Sequence, residues 1–80
     1  MKRDKILRDA INNPANVRFS DFENLLKDFG FECLRYRGSH VIFFSSDYKK
    51  LIPVQEGKNG MAKEYQVKQF IRILEENDAI

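Results

Sequence analysis

The chain has 80 residues, enough for one domain with a small core and too few for two. Its single cysteine, Cys33, can close no internal disulfide and cannot hold a metal by itself, which excludes a disulfide scaffold and structural zinc and fits a reducing compartment. No apolar run is long enough to cross a bilayer, and the opening "MKRDKILRDAINN" mixes charge throughout, so a soluble cytoplasmic protein with no membrane partner is expected.

The first predicted element is a short accessory helix within residues 1–13, where Ile6, Leu7, Ala10 and Ile11 make an amphipathic pattern that "NNP" should stop. The clearest helix follows, over 20–29. Ser20 and Glu23 have the spacing of a capping box, and Phe22, Leu25, Leu26 and Phe29 form one apolar stripe of helical period. Gly30 stands where a left-handed residue would end that helix.

From 31 to 56 the composition changes to strand formers. "FECLRYR", "HVIFFSS" and "KKLIPVQE", separated by tight turns, predict a three-stranded antiparallel meander. Pro53 cannot donate to a ladder, so the third strand should lie at an edge or carry a bulge there. Cys33 is expected to be a small buried side chain of the first strand. "EGKNGMAK" reads as a loop and not as a phosphate-binding P-loop, because it lacks the spacer and the Lys-Ser/Thr pair. A last helix over 64–77 carries Val67, Phe70, Ile71 and Leu74 on one face, with Glu64 and Lys68 in the favourable order for an ion pair. The fold class is α+β: one three-stranded antiparallel sheet with helices packed on one face, preceded by the accessory helix.

The middle strand is unusual. In "HVIFF", Val41 and Phe43 point to one face and His40, Ile42 and Phe44 to the other, so both faces are apolar while helices cover only one. Either a partner covers the second face or a few apolar side chains simply meet water. Charge is distributed unevenly as well. Residues 33–72 hold eight Lys/Arg against three Asp/Glu, whereas residues 73–80 hold none against three. The basic middle is either a phosphate-contacting surface or a solvated face.

The only histidine, His40, opens the middle strand directly after the "GS" turn. An imidazole gives and takes protons near neutral pH, which permits catalysis without requiring it. Its flanking cations, Arg35 and Arg37, and the absence of a carboxylate nearby in sequence suit attack on an anion such as a phosphodiester.

Together, "NPANVRFSDFENLLKDFGFE", "RYRGSHVIFF" and "GKNGMAKEYQVKQFIRILEE" resemble the HicA toxins, small bacterial mRNA interferases paired with HicB antitoxins, over about Asn13 to Glu76. The resemblance implies a fold like a double-stranded-RNA-binding domain. It also implies that His40 is the catalytic residue of a metal-independent ribonuclease with no cofactor, which cleaves mRNA to arrest translation and growth. A HicB-type antitoxin would cover the active site, which would account for the doubly apolar strand. His40 would serve as general base on a ribose 2′-hydroxyl or as general acid on the leaving 5′-oxygen, and the second proton-transfer role would fall to Lys, Tyr, Ser or water, or be missing. Candidate RNA contacts, chosen by charge and position, are Arg35, Arg37, Lys58, Lys63 and Lys68, and Ser39 either orients a phosphate or makes the turn. The "MKRDKILRDAINNPANVRF" segment exceeds the shortest family members. Two other functions stay open: a non-catalytic RNA-binding module, and a protein-interaction domain that uses the apolar sheet face.

Overall fold

Apolar residues at helical spacing in three segments and at alternate positions in three others leave one arrangement that buries both sets. In the computed structural model, which describes residues 2–80, the elements are α1 (Lys2–Asn12), α2 (Phe19–Asp28), β1 (Glu32–Arg37), β2 (His40–Ser45), β3 (Lys50–Gln55), a short 3₁₀ turn (Lys58–Gly60) and α3 (Glu64–Glu76). Met1, with which the predicted accessory helix begins, lies outside the described residues. The sheet is antiparallel in the order β1-β2-β3. The succession α2, three strands, α3 is that of a double-stranded-RNA-binding domain, with α1 added in front.

The centre of the core is Phe70 of α3. Its ring meets Phe22 of α2, Phe29 at the end of α2 and Phe31 just before β1, with centroids 5.8, 5.9 and 5.9 Å away and all three edge-to-face. That geometry sets the positive edge of one ring against the negative face of another. Phe43 and Ile52 from the sheet and Leu25, Leu26, Val67 and Leu74 from the helices complete the buried cluster. α1 adds Ala10, fully buried, with Ile6 and Leu7 packed at the margin, and its Arg3 guanidinium lies 5.3 Å over the Phe29 ring. Ile11, counted with these by its spacing, faces water instead.

Gly30 ends α2 as its position predicts. At φ +89° it is in the left-handed region, Phe31 N–H donates to Leu26 C=O at 2.8 Å, and Gly30 N–H donates to Lys27 C=O at 3.1 Å. These two bonds are the Schellman pair that satisfies the last carbonyls of a helix, and they turn Phe31 into the core beside Leu26. The start of α2 differs from the prediction. The N-cap is Arg18, extended and without a side-chain cap bond, and Ser20 sits inside the first turn. The cause is tertiary: Arg18 bridges to Met61, and Ala62 N–H donates to Val17 C=O at 2.7 Å, so the chain is held extended up to Arg18 and the helix begins at once.

Pro53 lies on an edge strand, as expected, yet pairs in regular register with Ile42; the irregularity is in β1, between Cys33 and Arg35. β1 is the other edge, and all six of its residues are exposed, so Cys33 is not the buried residue its strand context predicted. The helices reach over β2 and β3 and leave this margin uncovered.

Because Phe70 joins three segments through one ring, Phe70→Ala is expected to cost about 3–5 kcal/mol in urea unfolding. Phe44→Ala, on the other face of the sheet, is expected to cost within about 1 kcal/mol. Equal losses would mean that the core is not centred on Phe70.

Candidate nucleic-acid interface

A two-residue turn, Gly38-Ser39, joins β1 to β2. Gly38 has φ +61°, Ser39 does not share the positive φ, and these signs are those of a type II′ hairpin turn, whose twist matches the flanking strands. So tight a turn leaves no freedom of register: Arg37 must face His40. On the far side His40 faces Gln55, the last residue of β3. Directly opposed residues share a face, so Arg37, His40 and Gln55 form a row across the end of the sheet, on the side away from the helices.

Gln55 ties this row to the start of α3. Its Nε2 donates to Ser39 Oγ at 2.7 Å, and its Oε1 accepts from Lys63 Nζ at 2.9 Å. Its backbone N–H donates to Oε1 of Gln66 at 3.0 Å, and Gln66, a buried residue of α3, also donates from Nε2 to the Tyr65 hydroxyl at 3.3 Å. Lys63 comes within reach because the chain doubles back between 56 and 62. Glu56 bridges to Ala62, and Gly57 N–H donates to Met61 C=O at 2.7 Å, so the residues on either side of that bridge, Gln55 and Lys63, become neighbours.

The candidate residues therefore divide. Ser39, His40 and Lys63 adjoin Gln55, Arg37 stands on the far side of His40 in the same row, and Arg35 stands one row further along the same face, opposite Ile42. Lys58 lies exposed on the 3₁₀ turn. Lys68 is held by Glu64, 3.1 Å away and one helical turn back, the exposed pair its spacing predicts. No ion pair among the described residues engages the His40 imidazole, which is exposed. Two grooves, of about 340 and 290 Å³, border α1 and α2 and share none of these residues.

Beyond His40 the uncovered face becomes apolar. Phe44 is 36% exposed and Leu51, opposite it on β3, 48%. Ile42 was expected to meet water here but is only 7% exposed, although it belongs to no helix-packed cluster; Arg35 and Pro53 flank it from the neighbouring strands. Among the described residues no group of three or more His, Cys, Asp or Glu is placed to hold a metal ion, and no helix is long and apolar enough to cross a membrane.

A family model described as HicA toxin of bacterial toxin-antitoxin matches residues 19–76. The chain belongs to the HicA toxin family. No curated protein and no solved structure gives a significant match. The matched span runs from the first residue of α2 to the last of α3 and takes in the whole Gly38-Ser39-His40 turn, leaving α1 outside it. Membership makes the chain the toxin of a toxin-antitoxin pair and implies an antitoxin partner.

Two members of this candidate site, Gln55 and Gln66, escaped the sequence reading. Neither is charged, and glutamine at a strand end carries no signal until the β2–β3 register is known. A four-residue connection, Ser46 to Lys49, leaves that register open. Tyr36, in contrast, is set apart from the site: it faces Val41, on the helix side of the sheet. The negative charge of the Cys33 thiolate, then a hydrogen bond with that side chain, raise its phenol above the ordinary range, with smaller pushes from desolvation and Glu23. Cys33 in the folded toxin is accordingly expected to react with a maleimide about as fast as in urea, and Cys33→Ala is expected to shift the Tyr36 titration to lower pH. Strong protection of the thiol on folding would contradict the open β1 margin.

Proposed function

We propose that this HicA toxin is an mRNA endoribonuclease, acting in the cytoplasm without a metal, in which His40 transfers a proton during cleavage of the phosphodiester. The observation that carries the reading is the placement of the exposed His40 in one row with Arg37 and Gln55, beside Ser39 and Lys63. A proton-transfer group thus lies amid two cations and a hydroxyl on an open face, which a polymer can approach.

In the reaction the ribose 2′-oxygen attacks phosphorus, its proton is taken up, and the bond from phosphorus to the 5′-oxygen breaks as that oxygen gains a proton. The products are a 2′,3′-cyclic phosphate and a 5′-hydroxyl. His40 serves one of the two transfers. Tyr36 faces the helix side of the sheet and Tyr48 packs against Phe31, so the second transfer falls to Lys63, Ser39, water or Tyr65, whose exposed hydroxyl accepts from Gln66. Arg37 and Lys63 oppose the charge that grows on the phosphoryl oxygens, where fixed donors contribute most. Arg35, Lys58 and Lys68 extend the contact along the RNA backbone, with Lys68 exchanging Glu64 for phosphate. An exposed pair of this kind is worth roughly 0.3–0.5 kcal/mol, a small barrier to that exchange.

The antitoxin in this reading is of the HicB type and lies over the uncovered sheet face. Phe44 and Leu51, opposite each other and each more than a third exposed, supply an apolar contact on the same face as His40. One protein can then bury the apolar strip and close the catalytic row together.

The test is RNA cleavage in EDTA by toxin freed of any partner, beside His40→Ala at equal concentration. The variant should lose about 10²- to 10⁴-fold in rate while keeping most of its RNA affinity. Equal products from both would remove His40 from the mechanism. Salt-sensitive RNA binding without cleavage would make the protein a binding module.

A further inference from the structure

Gln55 has a task that its chemistry dictates. A lysine ammonium only donates hydrogen bonds, so the Gln55 group facing Lys63 must be the amide oxygen, and the NH₂ must face Ser39. The amide cannot turn over without opposing two donors at Lys63. Ser39 Oγ therefore accepts at 2.7 Å from Gln55, and the serine proton has to point elsewhere. Gln55 is itself anchored from below, because its backbone N–H donates to the buried Gln66 of α3. Ser39 directly precedes His40, and Gln55 directly faces it across the strands.

Resting on the ribonuclease reading, we propose that Gln55 is a positioning residue that fixes Ser39 as a hydrogen-bond donor to the scissile phosphate of an RNA substrate. With its acceptor side occupied by Gln55, the Ser39 hydroxyl presents its proton to a phosphoryl oxygen held beside His40. Lys63 sets the polarity of the chain and adds its own charge. A chain of donors running from Lys63 through Gln55 to Ser39 ends on the oxygen whose negative charge grows in the transition state, so its effect falls on kcat more than on KM.

The test is a double-mutant cycle on cleavage of a single-stranded RNA oligonucleotide, with kcat and KM measured for the full chain, Ser39→Ala, Gln55→Met and the double variant. Thermal melting checks folding. Losing one hydrogen bond to a charged group corresponds to roughly 10- to 100-fold, and Ser39→Ala is expected to lose that much in kcat. Gln55→Met should lose about 10-fold by the same arithmetic with KM nearly unchanged, and nothing further in the Ser39→Ala background, because its effect passes through that hydroxyl. Gln55→Glu supplies the second variant. It keeps the size and an oxygen for Lys63 but offers Ser39 only acceptors, so the serine must give its proton to the carboxylate and kcat should fall at least as far as in Gln55→Met.

Full kcat in Gln55→Glu, or losses that multiply in the double variant, would overturn the assignment while leaving the ribonuclease reading intact. Absence of cleavage by the unmodified chain would overturn that reading, and this assignment with it.

Discussion

Three edge-to-face contacts onto the Phe70 ring hold together segments that have no other reason to meet. Phe22 belongs to the first turn of α2, Phe29 to its end and Phe31 to the approach to β1, and all three converge on one side chain of α3. A chain this short buries little apolar area, so a few large rings must supply much of what offsets chain entropy. The Schellman turn at Gly30 makes the convergence possible. It reverses the chain within two residues, so that Phe29 and Phe31 reach the same ring from either side of the turn.

The same packing places the functional surface. α3 is anchored by Phe70, Val67 and Leu74, and its first turn carries Gln66 beneath the end of β3 and Lys63 beside it. The fold-back from Glu56 to Ala62 is held to the α1–α2 connection through the Ala62 to Val17 bond and the bridge between Arg18 and Met61. One small set of backbone bonds therefore starts α2, starts α3 and sets the distance between Lys63 and Gln55. Core and site share supports, and damage to the 61–62 segment would be felt in both.

The two faces of the sheet have diverged in consequence. One is closed by helices and holds Val41, Phe43, Ile52 and Val54; the other keeps the row of Arg37, His40 and Gln55 at one end and an apolar strip at the other. Under the proposed function such an open face suits two successive occupants: a polymer that needs access to His40, and an antitoxin that must deny it. The apolar strip adds nothing to the proposed chemistry, which is the reason to assign it to the protein partner.

Much was written in local pattern. The stripes of Phe22 to Phe29 and Val67 to Leu74, the stop at Gly30, the two-residue turn before His40 and the Glu64–Lys68 pair each depend on neighbours within about one helical turn or one hairpin, where spacing alone decides geometry. His40, Arg35 and Arg37 were accessible for the same reason. What tertiary structure alone decided came from contacts between distant segments. The bridge to Met61 moved the start of α2 ahead of Ser20, the edge position of β1 left Cys33 in solvent, and strand neighbours sheltered Ile42 without a helix. Gln55 and Gln66 entered the site only because β3 ends where α3 begins. An uncharged amide acquires a role from what it is placed between, and that placement is a property of the fold.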